Sequence, residues 1–212
     1  MVKCKNETEY DIPKDVLKEI INRALRKTLN DCAINGGNNK PGKDHNIKSQ
    51  KWVKNFAQQL KNYYEDNIKV FYRDKNSKEF LFDISVGQCS IFKTARSKKP
   101  REYISKAIWQ IESEFEENAT EIAYDFSKLL SGNAPLKMMV GPLRVEEDSE
   151  GPTYYMDAMK LIAKEIPEDE DWYFLLITHP KNWEKGKEMV WKIFKWEEND
   201  WSEMTPGGCW VI

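Results

Sequence analysis

The chain has 212 residues, with 33 Lys and Arg against 35 Asp and Glu and a formal charge of −2. That length fits one domain with a sizeable core, and the charge balance excludes a polycation, so any nucleic-acid binding has to come from a local basic patch. A mean hydropathy of −0.73 leans towards disorder, but eight Trp, nine Tyr and nine Phe argue for a packed interior.

Residues 13–30 read as an amphipathic helix, with Val16, Leu17, Ile20, Ile21, Ala24, Leu25 and Leu29 at helical spacing. Residues 35–49, rich in Gly, Asn and Lys, form a polar connection to a second helix at about 50–65, carrying Trp52, Val53, Phe56, Leu60 and Tyr63 on one face. The expected division is therefore an N-terminal helical appendage over residues 1–49 and an α/β domain over residues 50–212.

From residue 69 the period changes. Residues 69–72 and 79–86 read as two strands of a hairpin, joined by a polar turn at 73–78. Residues 87–106 read as an irregular basic insert, and residues 107–115 as a strand rich in Ile, Trp and Phe. Asn118-Ala119-Thr120-Glu121 has capping-box spacing for a helix running to about Leu130. A short buried strand at 136–140, a helix at 154–164 and strands at 172–178 and 189–196 follow. The expected fold class is α/β, a central mixed β-sheet flanked by helices.

The longest apolar run, Trp172-Tyr173-Phe174-Leu175-Leu176-Ile177, is too short to span a bilayer. The first nine residues lack the apolar stretch of a signal peptide. Cys4, Cys32, Cys89 and Cys209 are scattered, with no pair at zinc-ligand spacing. The expectation is a cytoplasmic protein with reduced thiols and no membrane partner.

Chemistry is suggested by the strand Ile108-Trp109-Gln110-Ile111-Glu112-Ser113-Glu114-Phe115. Alternation puts Gln110, Glu112 and Glu114 on one face and Trp109, Ile111 and Ser113 on the other. Carboxylates on the inner face of a strand are costly unless they bind a cation or meet solvent. Asp83 likewise interrupts the apolar run Phe80-Leu81-Phe82-Asp83-Ile84. Asp83 beside Glu112 would make a hard, oxygen-rich site suited to Mg²⁺ or Mn²⁺. The bland reading is a solvated acidic run continuing through Glu116 and Glu117.

Asp83 on a hairpin strand followed by Glu112-x-Glu114 on the next resembles the PD-(D/E)xK restriction-endonuclease-like superfamily, over residues 50–142. The resemblance implies a restriction-endonuclease-like core and a metal-dependent nuclease in which Asp83 and Glu112 hold the metal. Glu114 stands where that family usually has Lys, making this an acidic variant. The register Gln110-x-Glu112 is also open, and Lys128 on the next helix is a candidate for the displaced lysine. Glu65 is a candidate for the acidic residue that the family's first core helix often adds. Cutting both strands of a duplex commonly takes two sites, so a homodimer is compatible with this reading.

The stretch from Phe92 to Lys106 holds six Lys or Arg and one acidic residue among fifteen. Placed beside a metal site, Lys93, Arg96, Lys98, Lys99 and Arg101 would hold the phosphates of nucleic acid, with DNA the first expectation. The alternative use of such a run is to keep a loop soluble. Neither His45 nor His179 has a Ser or Cys partner in a nucleophile motif, and Gly36-Gly37 lacks phosphate-loop context. A metal-dependent nuclease, or a nuclease-derived defence or repair protein, is the leading expectation. The rival is a non-catalytic interaction protein that binds a partner through its Trp-rich C-terminal third.

Overall fold

The computed structural model describes residues 10–35, 44–65, 67–72, 81–94, 100–116, 118–143, 153–184, 186–205 and 208–211. Two helices come first, α1 (Lys14–Asn35) and α2 (Asp44–Tyr63). They are followed by β1 (Ile68–Tyr72), β2 (Ile84–Phe92), β3 (Arg101–Ser113), α3 (Ala119–Leu130), β4 (Leu136–Leu143) and α4 (Thr153–Ala163). The chain ends through β5 (Asp171–Thr178), β6 (Glu188–Glu197), β7 (Asp200–Thr205) and β8 (Cys209–Val211).

The strands β1 to β7 lie in the sheet in chain order, with β8 paired to β6. β3, β4 and β5 are mutually parallel and the remaining pairs antiparallel. Parallel neighbours require a crossover, which α3 and α4 supply. β4 is buried along its whole length and β5 everywhere except its first residue, which is why both read as nearly unbroken apolar runs. The expected α/β class, a mixed central sheet flanked by helices, is the observed one.

Each face of the sheet has its own core. On one, Leu17, Ile21, Leu25 and Leu29 of α1 and Trp52, Phe56 and Leu60 of α2 join Trp109, Ile111, Met138, Val140, Tyr173 and Leu175. On the other, Ile122, Phe126 and Leu129 of α3 and Met159 of α4 join Met139, Trp172, Phe174, Phe194 and Trp201. The helix expected as an appendage thus shares one apolar cluster with the sheet, and Trp191 of β6 donates from Nε1 to Asn22 Oδ1 at 3.0 Å.

The segment 87–106, expected to be irregular, is instead mostly strand. β2 runs on to Phe92 and β3 starts at Arg101, so the two form one long hairpin. Register shifts at Val86/Gly87 and Gln88/Cys89 bend it. A Cβ on Gly87 would stand 2.6 Å from Ile104 Cγ2 and 2.7 Å from the Lys106 carbonyl, so only glycine fits that bend. Trp172, Trp183, Trp191 and Trp201 are core side chains, which removes most of the aromatic surface that the interaction reading relied on. Among the described residues, Cys32, Cys89 and Cys209 form no disulfide, and no helix is long and apolar enough to cross a membrane.

Candidate functional site

Strand alternation sends Trp109 and Ile111 to the α1/α2 face and Glu112 to the α3/α4 face of β3. Glu112 is 2% exposed. Across from it, the first turns of α3 are set by Asn118, whose side chain accepts from Thr120 N. That start brings Asp125 and Lys128, one turn apart, over the end of β3. Lys128 Nζ stands 2.8 Å from Glu112 Oε1 and 3.1 Å from Asp125 Oδ1. The ammonium meets Oε1 off the direction a good hydrogen bond needs, so this buried oxygen has a charge partner but no well-aligned hydrogen bond.

Asp83 is not inside a strand, as the sequence led us to expect, but in the bend just before β2. Its apolar neighbour Phe82 turns into the α3/α4 core, so the backbone breaks the alternation there. The ladder starts with Ile84 opposite Ile111, and one step further puts Asp83 across from Glu112. Asp83 Oδ2 accepts from Ser113 N at 3.0 Å and closes the end of the ladder.

Glu114 lies just past the end of β3. Its backbone N donates to the Val140 carbonyl at 2.9 Å, and its Oε1 accepts from Glu116 N at 2.7 Å. Lys128 thus meets Glu112 and Asp125, with the Asp83 charge close to Glu112 and the Asp125 charge close to Glu114. Burial, reinforced by the charges of Asp83 and Asp125 and opposed by Lys128, pushes the Glu112 carboxyl up to about 8. Burial also raises Glu114, opposed by the hydrogen bond from the Glu116 N–H and reinforced by the charges of Asp125 and Glu116. Burial alone would lower Lys128, but Glu112 and Asp125 outweigh it and the ammonium is held more firmly than an ordinary lysine.

The other sequence candidates lie elsewhere. Gln110 is buried on the same face as Glu112, but its Oε1 accepts from Ala134 N at 3.2 Å and fills the space beside Gly132, where a Cβ would stand 1.9 Å away. It secures the α3–β4 turn. Glu65 follows α2 beside Ile68, which pairs with Gln88, far along the ladder from Ile84. Lys93 and Arg101 sit at the far tip of the β2–β3 hairpin, the opposite end from Asp83 and Glu112. Eight strand steps separate Ile84 from Phe92, roughly 25 Å, so Lys93 and Arg101 are not beside the acidic pair. Arg96, Lys98 and Lys99 lie outside the described residues. Asp125, the fourth carboxylate, escaped the sequence reading; its i, i+3 spacing from Lys128 was the available signal.

A Mg²⁺- or Mn²⁺-like ion takes hard oxygen ligands, and Mg²⁺ commonly binds through one or two carboxylates with waters or phosphate oxygens completing its shell. Among the described residues no group of three or more His, Cys, Asp or Glu is placed to hold a metal. Asp83 and Glu112, with the under-bonded Glu112 Oε1, fit the two-carboxylate mode.

No protein-family model matches the chain, and no curated protein is similar to it. Among solved structures it is similar to NucC of P. aeruginosa ATCC27853 in its cAAA-bound form, at 10% identity and a TM-score of 0.48, over 93% of this chain and 85% of that one.

Proposed function

We propose that this protein is a divalent-metal-dependent hydrolase of nucleic-acid phosphodiester bonds, built on a restriction-endonuclease-like core. The observation that supports this is the buried Glu112 carboxyl, held beside Lys128 with the Asp83 and Asp125 charges close enough to raise its pKa. A core strand carries such a group at a cost of several kcal/mol unless a cation completes it. Asp83 and Glu112 hold the metal, Mg²⁺ or Mn²⁺. Bound there, the ion polarises the phosphodiester and makes water a better nucleophile at neutral pH.

Lys128 stands in for the lysine that the β3 strand lacks. Its ammonium leaves Glu112 for a non-bridging phosphate oxygen and offsets the charge that builds there. Glu114 orients the attacking water and takes its proton on the carboxyl; its raised affinity for a proton suits it to that task. A homodimer would place two such sites on the two strands of a duplex.

The test is hydrolysis of end-labelled DNA in Mg²⁺ or Mn²⁺, with EDTA as the control. Glu112→Gln should lower the rate by at least about a hundredfold, as should Lys128→Ala, in line with the loss of one preorganised charge contact. Cleavage that persists in EDTA, or that survives Glu112→Gln, would overturn the proposal.

A further inference from the structure

Beyond Gln88 on β2 and before Trp109 on β3, the hairpin leaves its sheet neighbours. β1 pairs with β2 only as far as Gln88, and β4 pairs with β3 only from Trp109. Residues 89–92 and 101–104 therefore pair only with each other among the described strands, as a two-stranded ribbon that projects from the sheet.

Opposite residues of an antiparallel pair share a face. Ser90 faces Tyr103 and Phe92 faces Arg101, so all four lie on one side of the ribbon. Phe92 and Tyr103 meet edge to face, with ring centroids 5.8 Å apart and an interplanar angle of 69°. They nonetheless remain 40% and 47% exposed. Among the described residues most Phe and Trp side chains are buried, so an exposed aromatic pair in mutual contact needs a reason to stand in solvent. Arg101 lies on the same face and Lys93 directly follows Phe92, and both are exposed. The other face differs: it carries Ile91 and Glu102, and Glu102 is tied to Lys69 of β1.

An exposed aromatic pair flanked by cations is what unpaired bases require, ring faces for stacking and positive charge for the backbone. Bases inside a duplex keep their faces covered. We infer that the tip of the β2–β3 ribbon is a binding site for single-stranded nucleic acid, with Phe92 and Tyr103 stacking on bases and Arg101 and Lys93 contacting phosphates. The inference rests on the nucleic-acid reading above and names the form of substrate. Because the ribbon tip lies roughly 25 Å from Asp83, it engages the strand several nucleotides away from the bond to be cut.

The experiment measures binding of labelled thirty-nucleotide oligothymidylate and of a thirty-base-pair duplex by fluorescence anisotropy, in EDTA, so that neither the metal nor cleavage enters. Cleavage of DNA in Mn²⁺ is followed separately. The wild type should bind the single strand at least tenfold more tightly than the duplex. Stacking on one aromatic side chain is worth about five- to 150-fold in affinity, so Phe92→Ala with Tyr103→Ala should weaken single-strand binding at least tenfold. Phe92→Leu with Tyr103→Leu keeps the apolar bulk of the ribbon and should lose as much. Wild-type binding that favours the duplex, that is absent, or that survives either double substitution would overturn the inference. Metal-dependent cleavage would still stand in that case. Conversely, ring-dependent binding with no cleavage in Mn²⁺ would remove the hydrolase and leave the ribbon site.

Discussion

Glu112 holds a proton in the folded chain up to about pH 8, against an ordinary carboxyl value of 4.5. Between those values the folded state binds a proton there that the unfolded state does not. Stability from this group is therefore fully present below about pH 4.5 and is lost as pH rises towards 8. Metal-free wild-type protein should show a thermal midpoint that falls from pH 5 to pH 8 more steeply than that of Glu112→Gln, which carries no titratable group at that position. Parallel profiles would show that Glu112 ionises as an ordinary carboxyl. The buried Lys137 has a different role. It donates to both Glu170 carboxylate oxygens at 2.8 Å and to the Gly132 carbonyl at 2.9 Å, while Trp172 Nε1 donates to Glu170 Oε2 at 2.7 Å. Glu170→Ala leaves that ammonium buried and should cost about 3–5 kcal/mol in chemical denaturation; a loss under about 1 kcal/mol would mean that water reaches Lys137. At this scale the sequence revealed that Gln110 and Glu112 share a face, because strand alternation is local. It hid Lys137, whose single charge sits in an apolar run, and it misplaced Asp83, because the bend at 81–83 carries no Gly or Pro.

Among the elements, α1 is the one whose role was least visible. Its amphipathic stripe was plain, but the partner of that stripe was not, because Asn22 meets Trp191 across 169 positions of sequence. The Gly- and Asn-rich connection after it looked like a domain boundary for the same reason. Leu25 is fully buried in the cluster that also holds Trp109 and Tyr173. Leu25→Ala should destabilise the whole chain by about 2–5 kcal/mol, in a single transition whether followed by helix or by Trp fluorescence. Two separate transitions, with the Trp signal unmoved, would instead make residues 1–49 an independent unit. The β2–β3 hairpin was half legible. Its core end alternates cleanly, whereas charges interrupt the outer end, and bulges shift the pattern by one residue twice. The β6–β7 turn was missed because no glycine marks it: Glu198 and Asn199 themselves take the left-handed conformation, with φ of 52° and 64°.

For the molecule as a whole, the chain-order sheet determines what can act together. It sets Asp83, Glu112 and α3 at one end of the β2–β3 hairpin and the exposed aromatic pair with Lys93 and Arg101 at the other. The fold class followed from the order of helical and alternating segments, because each signal is local and the aromatic load ensures a core. The juxtaposition of Lys128 with Glu112 was named only as one of three options, since it depends on how α3 docks. The separation of Lys93 and Arg101 from the acidic groups was the reverse of the expectation, because adjacency in sequence across a long hairpin becomes distance in space. The most direct test of the central claim is Mn²⁺ binding by titration calorimetry at pH 8, comparing the wild type with Asp83→Ala and Glu112→Gln. One binding event in the wild type, weakened at least tenfold by each substitution in a protein that still melts cooperatively, is the expected result. Unchanged Mn²⁺ affinity in both variants would contradict a shared carboxylate site and leave the contact between Glu112 and Lys128 a structural one.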